Sequence, residues 1–176
     1  MKKILLVNGA NLNRMHRRAP SFGEGETTLD DIVENVRAYA AKFDFEIDHF
    51  QSNHEGLIVD KLQEADGGYD GVIINPGPFT QTSHAIRVTL GSLPVPTVEV
   101  HLVNILKTGE PTIPGRNVTC VISGLGKDCY LLGVDAIRHA IHELEANGYL
   151  RRTSDRSSGK ISGQIYDIFE EPIDVE

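Results

Sequence analysis

Short runs of uninterrupted apolar residues, separated by helix-like segments, constrain the fold of this chain more than any other feature. Residues 4–7 and 72–74 are apolar at every position, and an asparagine follows each run, at Asn8 and Asn75. A strand with this pattern is buried on both faces, as in a parallel sheet covered by helices. Between the runs, apolar residues recur with the period of a helix at Leu29, Ile32, Val33, Val36, Ala40 and Phe43. The sequence therefore predicts an α/β fold, a flavodoxin-like doubly wound parallel sheet of five strands.

Turn and capping residues set the expected bounds of these elements. We expect strands at 3–8, 45–50, 71–75, 94–100 and 118–122, and a last helix from Asp128 to Asn147. The other helices follow side chains that can cap a helix, namely Thr28 with Asp31, Ser52 with Glu55, and Thr80 or Thr82. Residues 1–149 are predicted to form one domain. Residues 150–176 are predicted to be a loosely ordered polar extension with one short strand at 161–168.

The composition argues against several classes of partner. A formal net charge of −8 is opposite in sign to the surface of a nucleic-acid-binding protein. The four apolar residues that follow Lys2 and Lys3 are too few for a signal peptide or a membrane span, so we expect a cytoplasmic protein with no membrane partner. Cys120 and Cys129 lie in apolar surroundings without CxxC spacing, so we expect free thiols rather than a disulfide or a metal site.

Glu99 and His101 are the strongest candidates for a reactive pair. They lie two residues apart in a predicted strand, so their side chains point to the same face. A carboxylate beside an imidazole fixes the tautomer and orientation of the ring and favours its protonated form, as a proton donor near neutral pH requires. Taken alone, a Glu-x-His pair on a strand is more often a solvated ion pair.

Polar side chains also follow the other predicted strands, which makes one edge of the sheet the expected site. Ligands of open parallel sheets bind outside the carboxyl ends of the strands. The loop 9–27, with its basic cluster at 14–18, is placed to close over that edge as a lid. A dinucleotide site is not expected, because Cys129 replaces the third glycine of the G-x-G pattern at 124–126. The groups at the edge are Asn8, Asn11, Ser52-Asn53-His54-Glu55, Asn75-Pro76-Gly77, Glu99 and His101.

Taken together, the motifs of residues 3–145 resemble the type II dehydroquinases, which are 3-dehydroquinate dehydratases that use no cofactor. Each motif is modest alone, but they occur in the order and at nearly the spacing of that family. They are Asn8-Gly9-Ala10-Asn11-Leu12-Asn13, Gln51-Ser52-Asn53-His54-Glu55-Gly56, Ile74-Asn75-Pro76-Gly77 followed by Thr80-x-Thr82-Ser83-x-Ala85-Ile86-Arg87, Glu99-Val100-His101-Leu102-x-Asn104, and Gly124-Leu125-Gly126 with Tyr130-Leu131-Leu132.

The resemblance implies an anti elimination of water through an enolate. In the family, a lid tyrosine removes the proton next to the ketone, and a nearby arginine favours its phenolate. An asparagine holds a water against the enolate oxygen, and a histidine protonates the departing hydroxyl. By position, the arginine is Arg18, the asparagine is Asn11 and the histidine is His101, with Glu99 as its orienting partner.

The resemblance also implies how the substrate and the subunits are held. The substrate carboxylate would lie against Asn75, against Gly77 beside it, and against the backbone of Leu102 and Val103. The expected ligand is a small carboxylated molecule, with no cofactor and no metal. The expected assembly is a homo-oligomer, a dodecamer built from trimers.

Several positions depart from the family pattern. Phe22 stands where the family has its catalytic tyrosine, in a lid that is one residue shorter, and phenylalanine carries no transferable proton. The resemblance also implies four residues that read substrate hydroxyls: a histidine, an aspartate that reaches into a neighbouring subunit's site, a serine and an arginine. This chain has Gln81, Val88, Val103 and Thr112 at those positions. Thr112 lies in a shortened segment, where Arg116 is the arginine that could substitute.

Three hypotheses remain open at this point. The chain is a 3-dehydroquinate dehydratase with a substitute base, for which His16, Glu24 and Glu26 of the lid are the candidates. Alternatively, it is a divergent lyase or isomerase that acts on a less hydroxylated carboxylated compound, because a site that reads hydroxyls discriminates strongly. The third hypothesis is a non-catalytic binding protein on the same fold.

The substitution Phe22→Tyr tests whether the base is the only missing part. We expect the variant to gain little activity on 3-dehydroquinate, because Gln81, Val88 and Thr112 still fail to hold the ring hydroxyls, and a misplaced substrate makes poor use of a base. Turnover followed by ultraviolet absorbance checks this. A rise of about tenfold or more, the lower part of a general-base contribution, would show that only the base is lost.

Overall fold

The computed structural model describes residues 1–17, 27–108, 112–147, 149–157 and 160–168, and for residues 17, 108, 150–157 and 160–168 it describes the backbone alone. The chain divides into two compact units, residues 1–137 and 138–176. The boundary between the units falls inside the last helix. All of the candidate site residues that the structure describes belong to the first unit.

A five-stranded parallel sheet forms the centre of the first unit, as predicted. The strands are β1 (Lys2–Asn8), β2 (Phe45–Gln51), β3 (Gly71–Asn75), β4 (Thr97–His101) and β5 (Cys120–Ser123), in the order β2-β1-β3-β4-β5. This is the flavodoxin-like order, which reverses direction between β1 and β3 and leaves a crevice at their carboxyl ends.

Among the described residues, one α-helix follows each of the strands β1, β2 and β3, and a fourth follows β5. They are α1 (Leu29–Ala40), α2 (Glu55–Gln63), α3 (His84–Ser92) and α4 (Asp128–Ala146). Short 3₁₀ turns occur at Leu12–Arg17, Ala41–Phe43, Gly77–Gln81, Ile105–Thr108 and Pro114–Asn117. The predicted capping box of α1 is present, with the Thr28 hydroxyl accepting from the backbone N–H of Asp31 and the Asp31 carboxylate accepting from that of Thr28.

The predicted starts of α2 and α3 were wrong. The Ser52 hydroxyl accepts from the backbone N–H of His54, inside a turn, so α2 begins after His54 instead. The cap of α3 is Ser83, whose hydroxyl accepts from the Ile86 N–H at 2.9 Å. Thr80 is used earlier, because its hydroxyl donates to the Gly77 carbonyl within the preceding 3₁₀ turn.

Helices cover both faces of the sheet, which explains the uninterrupted apolar strands. On one face, alternate strand residues pack with the inner sides of α2 and α3 in a cluster of Leu5, Val7, Val72, Ile74, Ile58, Leu62, Ala65, Ile86 and Leu90. On the other face, Gly133 of α4 lies against the side chains of Ile73 and Val100, so that a Cβ there would be 3.3 Å from both.

The second unit contains the end of α4 and an antiparallel pair of strands, β6 (Leu150–Ser157) and β7 (Lys160–Ile168). The strand expected at 161–168 is therefore present as β7, and it pairs with a second strand, β6, which was not predicted. Residues 151–157 are polar or charged throughout, so hydrophobic periodicity gave no signal for β6. Among the helices that the structure describes, none combines the length and the hydrophobicity of a membrane span.

Candidate active site

The parallel register brings the predicted polar groups to one edge of the sheet. Asn8 at the end of β1 lies beside Asn75 at the end of β3, and β2 contributes Gln51 to the same row. On the other side of β3, Ile74 pairs with Glu99, so His101 extends beyond the end of β3. One edge therefore carries amide side chains near its centre and an imidazole at β4.

Glu99 and His101 form a buried hydrogen-bonded pair. Nε2 of His101 lies 2.5 Å from Oε1 of Glu99, with the two side chains on the same face of β4 as predicted. Glu99 is fully buried and His101 is 5% exposed. The pair is therefore not the solvated surface ion pair that the local sequence alone favours. Because Nε2 bonds to the carboxylate, Nδ1 is the ring nitrogen that can exchange a proton with a ligand.

Thr112 is a third member of this cluster. Its hydroxyl donates to the same oxygen, Oε1 of Glu99, at 2.6 Å, and accepts from the backbone N–H of Gly115 at 3.1 Å. Thr112 is also buried. Sequence reasoning singled out Thr112 only as the position of an absent arginine, and it gave no signal of the contact with Glu99.

The turn from Thr112 to Gly115 closes tightly over the carboxylate. A methyl group in place of Hα on Gly115 would lie 2.2 Å from Cγ2 of Thr112, 2.9 Å from Cγ2 of Val121 and 3.2 Å from Oε2 of Glu99. Within the described residues, Oε2 of Glu99 is buried and has no hydrogen-bond partner. The carboxylate is therefore held through Oε1, which receives both of its hydrogen bonds.

A second polar network crosses the ends of β2, β1 and β3. Nδ2 of Asn8 donates to Nε2 of His49 at 3.1 Å, and the Tyr130 hydroxyl donates to Oδ1 of Asn8 at 2.7 Å. Nδ2 of Asn75 donates to the Tyr130 oxygen at 2.9 Å, and Oδ1 of Asn75 accepts from the Gly77 N–H at 3.1 Å. Burial lowers the pKa of His49, which agrees with a neutral ring that accepts from Asn8.

Sequence reasoning missed Tyr130 as a member of this network. Its position in the apolar face of α4 predicted a core residue, and it is indeed fully buried. A buried tyrosine needs a partner for its hydroxyl, and this was the available signal. The partners come from strands 55 and 122 residues away in sequence, so their identity depended on the fold.

Asn11 lies on the loop that leaves β1, above the same edge. It is exposed and adopts a left-handed backbone conformation, φ +67°, which asparagine tolerates better than most residues. Its backbone N–H donates to Oδ1 of Asn53 at 2.8 Å, which ties the loop after β1 to the loop after β2. The exposed side chain is thus available to a ligand.

Other predicted site residues are more dispersed. Gln81 and Val88 are exposed, at the end of a 3₁₀ turn and on α3, and within the described residues no hydrogen bond joins Gln81 to Glu99 or His101. Leu102 and Val103 follow β4 directly, and the Leu102 carbonyl accepts from the Gly126 N–H. Arg18, Phe22, Glu24 and Glu26 lie outside the described residues, whereas His16 is described and exposed.

The side chains at this edge of the sheet can transfer protons and can hydrogen-bond to the oxygen atoms of a ligand. The pair of imidazole and carboxylate can exchange a proton, and the amide side chains and loop N–H groups can hold carboxylate or hydroxyl oxygens. Among the residues that the structure describes, no three His, Cys, Asp or Glu side chains are grouped to hold a metal ion.

Comparison with known proteins gives a consistent result. The family model described as class II dehydroquinase matches residues 2–138. A catabolic 3-dehydroquinase of Aspergillus clavatus is 50% identical over 140 residues, covering 77% of this chain and 92% of the relative. A 3-dehydroquinate dehydratase of Thermotoga petrophila is 42% identical over 147 residues, covering 81% of this chain and 99% of the relative. The crystal structure of a type II dehydroquinase from Butyrivibrio crossotus superposes with a TM-score of 0.74 at 34% identity, covering 78% of this chain and 97% of that one.

The substitution Gly115→Ala tests the close turn over Glu99. The added methyl group would collide with Thr112 and Val121, so we expect the free energy of unfolding to fall by about 1–3 kcal/mol. The control is Gly56→Ala in α2, where a Cβ would meet nothing within 4 Å and where alanine is favoured in a helix by about 0.5–1 kcal/mol. Thermal unfolding of both variants measures the difference. Equal stability of the two variants would contradict the close packing of Gly115 against Thr112 and Val121.

Proposed function

Because this chain belongs to the class II dehydroquinase family, we propose that it is a carbon–oxygen lyase that removes water from 3-dehydroquinate. The match covers residues 2–138 and includes every described residue of the two polar networks at the sheet edge. The relatives at 40–50% identity carry the names of dehydroquinases and dehydroquinate dehydratases from fungi and bacteria. The names of the relatives and the buried Glu99–His101 pair both support the elimination of water.

The observation that carries the proposal is the Glu99–His101 pair. In an elimination, the departing hydroxyl needs a proton before the C–O bond can break easily, and a positioned imidazolium supplies it. With Nε2 bonded to Glu99, Nδ1 of His101 would give its proton to the hydroxyl, which leaves as water. The negative charge of Glu99 would stabilise the protonated ring before the transfer.

The remaining parts of the reaction would be divided along the same edge. A base removes the proton next to the ketone, and the electron pair forms an enolate. Asn11 would hold a water against the enolate oxygen, and Arg18 would add positive charge nearby. The enolate then re-forms the ketone as the C–C double bond appears and the protonated hydroxyl departs, so that one water is lost and no oxidation occurs.

The substrate carboxylate would be held between the ends of β3 and β4. Asn75 is the last residue of β3 and Gly77 follows it, whereas Leu102 and Val103 follow β4. The network through Tyr130 supports this role, because it fixes the orientation of the Asn75 amide without using a charged group. An anchor of neutral donors and backbone N–H groups suits a single carboxylate.

The base must come from a residue other than Phe22, which has no acidic proton. The segment between Asn11 and Thr27 supplies three titratable candidates, His16, Glu24 and Glu26. His16 lies exposed on the 3₁₀ turn that follows Asn11, which supports it as a candidate.

A second candidate function is favoured by one observation. Val88 is 60% exposed on α3, where the resemblance implies an aspartate that reads a substrate hydroxyl in a neighbouring subunit. An apolar side chain there favours a carboxylated substrate with fewer hydroxyls, acted on by the same proton donor. A non-catalytic binding role is the outcome if no such compound reacts.

We also propose a homo-oligomeric state, the trimer-based dodecamer that the resemblance implies, in the cytoplasm. An exposed valine at position 88 supports a subunit contact at α3. Cys120 and Cys129, which are not joined in a disulfide, support a reducing compartment. In this proposal residues 1–149 form the dehydroquinase-like domain, and residues 150–176 form a polar C-terminal extension. Light scattering should give a mass near twelve times that of the 19.4 kDa chain. A particle of monomer mass would contradict the assembly.

An ultraviolet assay with 3-dehydroquinate tests the proposed reaction, because its product, dehydroshikimate, absorbs in the ultraviolet. We expect turnover by the natural chain and a loss of about 10²–10⁴-fold in His101→Gln, the range of a general acid. Glutamine keeps a donor for buried Glu99, so this variant should remain folded. The control His139→Gln changes an exposed histidine on α4 and should keep full activity.

Two results would contradict the proposal. Absence of turnover by the natural chain would exclude 3-dehydroquinate as its substrate and favour the second candidate. Turnover that His101→Gln leaves unchanged would remove His101 from the role of proton donor.

A further inference from the structure

Thr112 is one of the predicted substrate-binding residues, but its hydroxyl is directed at Glu99. The side chain is 8% exposed and its hydroxyl lies 2.6 Å from Oε1 of Glu99. An ionised carboxylate only accepts hydrogen bonds, so the threonine is the donor. The Gly115 N–H donates to the same hydroxyl oxygen. The single proton of the hydroxyl is therefore engaged by the protein, and Thr112 has no donor left for a substrate.

The contact matters because Glu99 is held through one oxygen. Thr112 and His101 both donate to Oε1, at 2.6 and 2.5 Å, whereas Oε2 has no partner among the described residues. A carboxylate that keeps only its bond to the imidazole can turn and exchange its two oxygens. Turning would release the His101 ring from its single tautomer and orientation.

We propose that Thr112 is a positioning residue, which fixes the Glu99 carboxylate and through it the imidazole of His101, and that it does not bind the substrate. Thr112 thus occupies the position at which the resemblance implies a hydroxyl-binding arginine. It acts on the proton donor indirectly, through its hydrogen bond to Glu99. The kinetic consequences of this inference rest on the proposed function. The expected state of the His101 ring does not.

Two substitutions separate the hydroxyl from the rest of the side chain. Thr112→Val keeps the shape and removes the donor, and Thr112→Ser keeps the donor. For the loss of a hydrogen bond to a charged group, we expect kcat of Thr112→Val to fall about 10- to 100-fold, with KM changed less than about threefold. Thr112→Ser should retain kcat within about threefold of the natural chain.

Nitrogen-15 NMR of the histidine rings tests the same claim without a substrate. In the natural chain, at a pH where the ring is neutral, we expect His101 as one tautomer, with the proton on Nε2. In Thr112→Val the resonances should broaden or shift toward an average of two tautomers, and Thr112→Ser should restore them. Thr112→Ala removes the same donor without adding a methyl group beside the carboxylate, and it takes the place of Thr112→Val if that variant does not fold.

The possible outcomes are distinct. A raised KM with unchanged kcat in Thr112→Val would make Thr112 a substrate ligand and overturn the proposal. Ring resonances of His101 that are identical in the natural chain and in the variants without the hydroxyl would also overturn it. If the natural chain shows no turnover of 3-dehydroquinate, the proposed function fails, while the NMR result still decides the role of Thr112.

Discussion

A fully buried carboxylate on β4, near the carboxyl end of that strand, is the constraint on which the rest of this site depends. Removing a charge from water costs several kcal/mol unless the charge is paired and hydrogen-bonded. Glu99 meets this cost with two donors on one oxygen, from His101 and Thr112. The arrangement requires β4 to place the pair on one face and a turn close enough to bring Thr112 over it. Gly115 permits that turn, because a side chain there would overlap its neighbours.

The sheet edge thus carries two polar networks of different kinds. The network at β4 contains a carboxylate and an imidazole, and it suits proton transfer. The network at β2, β1 and β3 contains amides, a phenol and a histidine whose pKa burial lowers, and it suits fixed orientation. In the proposed reaction, the first network protonates the departing hydroxyl and the second holds Asn75 toward the substrate carboxylate. In this proposal, proton transfer therefore depends on β4, and the fixed orientation of the substrate anchor depends on β2, β1 and β3.

Local sequence signals predicted most of the fold and the shorter-range part of the site. The apolar runs gave the parallel sheet, and Thr28 with Asp31 gave a correct helix start, because each signal lies within a few residues. The Glu99–His101 contact was predictable for the same reason, since it joins residues two apart on a strand. Ser83 was missed because several hydroxyl residues precede α3, and the 3₁₀ turn at Gly77–Gln81 uses Thr80 first.

Contacts between distant residues could not be predicted in this way. The hydroxyl of Tyr130 bonds to Asn8, 122 residues away in sequence, and that of Thr112 bonds to Glu99, 13 residues away. No pattern in the sequence pairs those side chains before the strand order and the packing of α4 are known. The hairpin of β6 and β7 was partly missed for a different reason, because its first strand lacks the alternating apolar residues that indicate a strand.

A crystal structure of the His101→Gln variant soaked with 3-dehydroquinate tests the role of His101 as proton donor most directly, because the variant should bind the substrate without turning it over. We expect the substrate carboxylate to lie against Asn75 and the backbone of Leu102 and Val103, with the departing hydroxyl within hydrogen-bond distance of the side chain at position 101. The hydroxyl of Thr112 should still point to Glu99. A substrate bound elsewhere, or one whose departing hydroxyl faces away from position 101, would contradict the assignment of the proton donor.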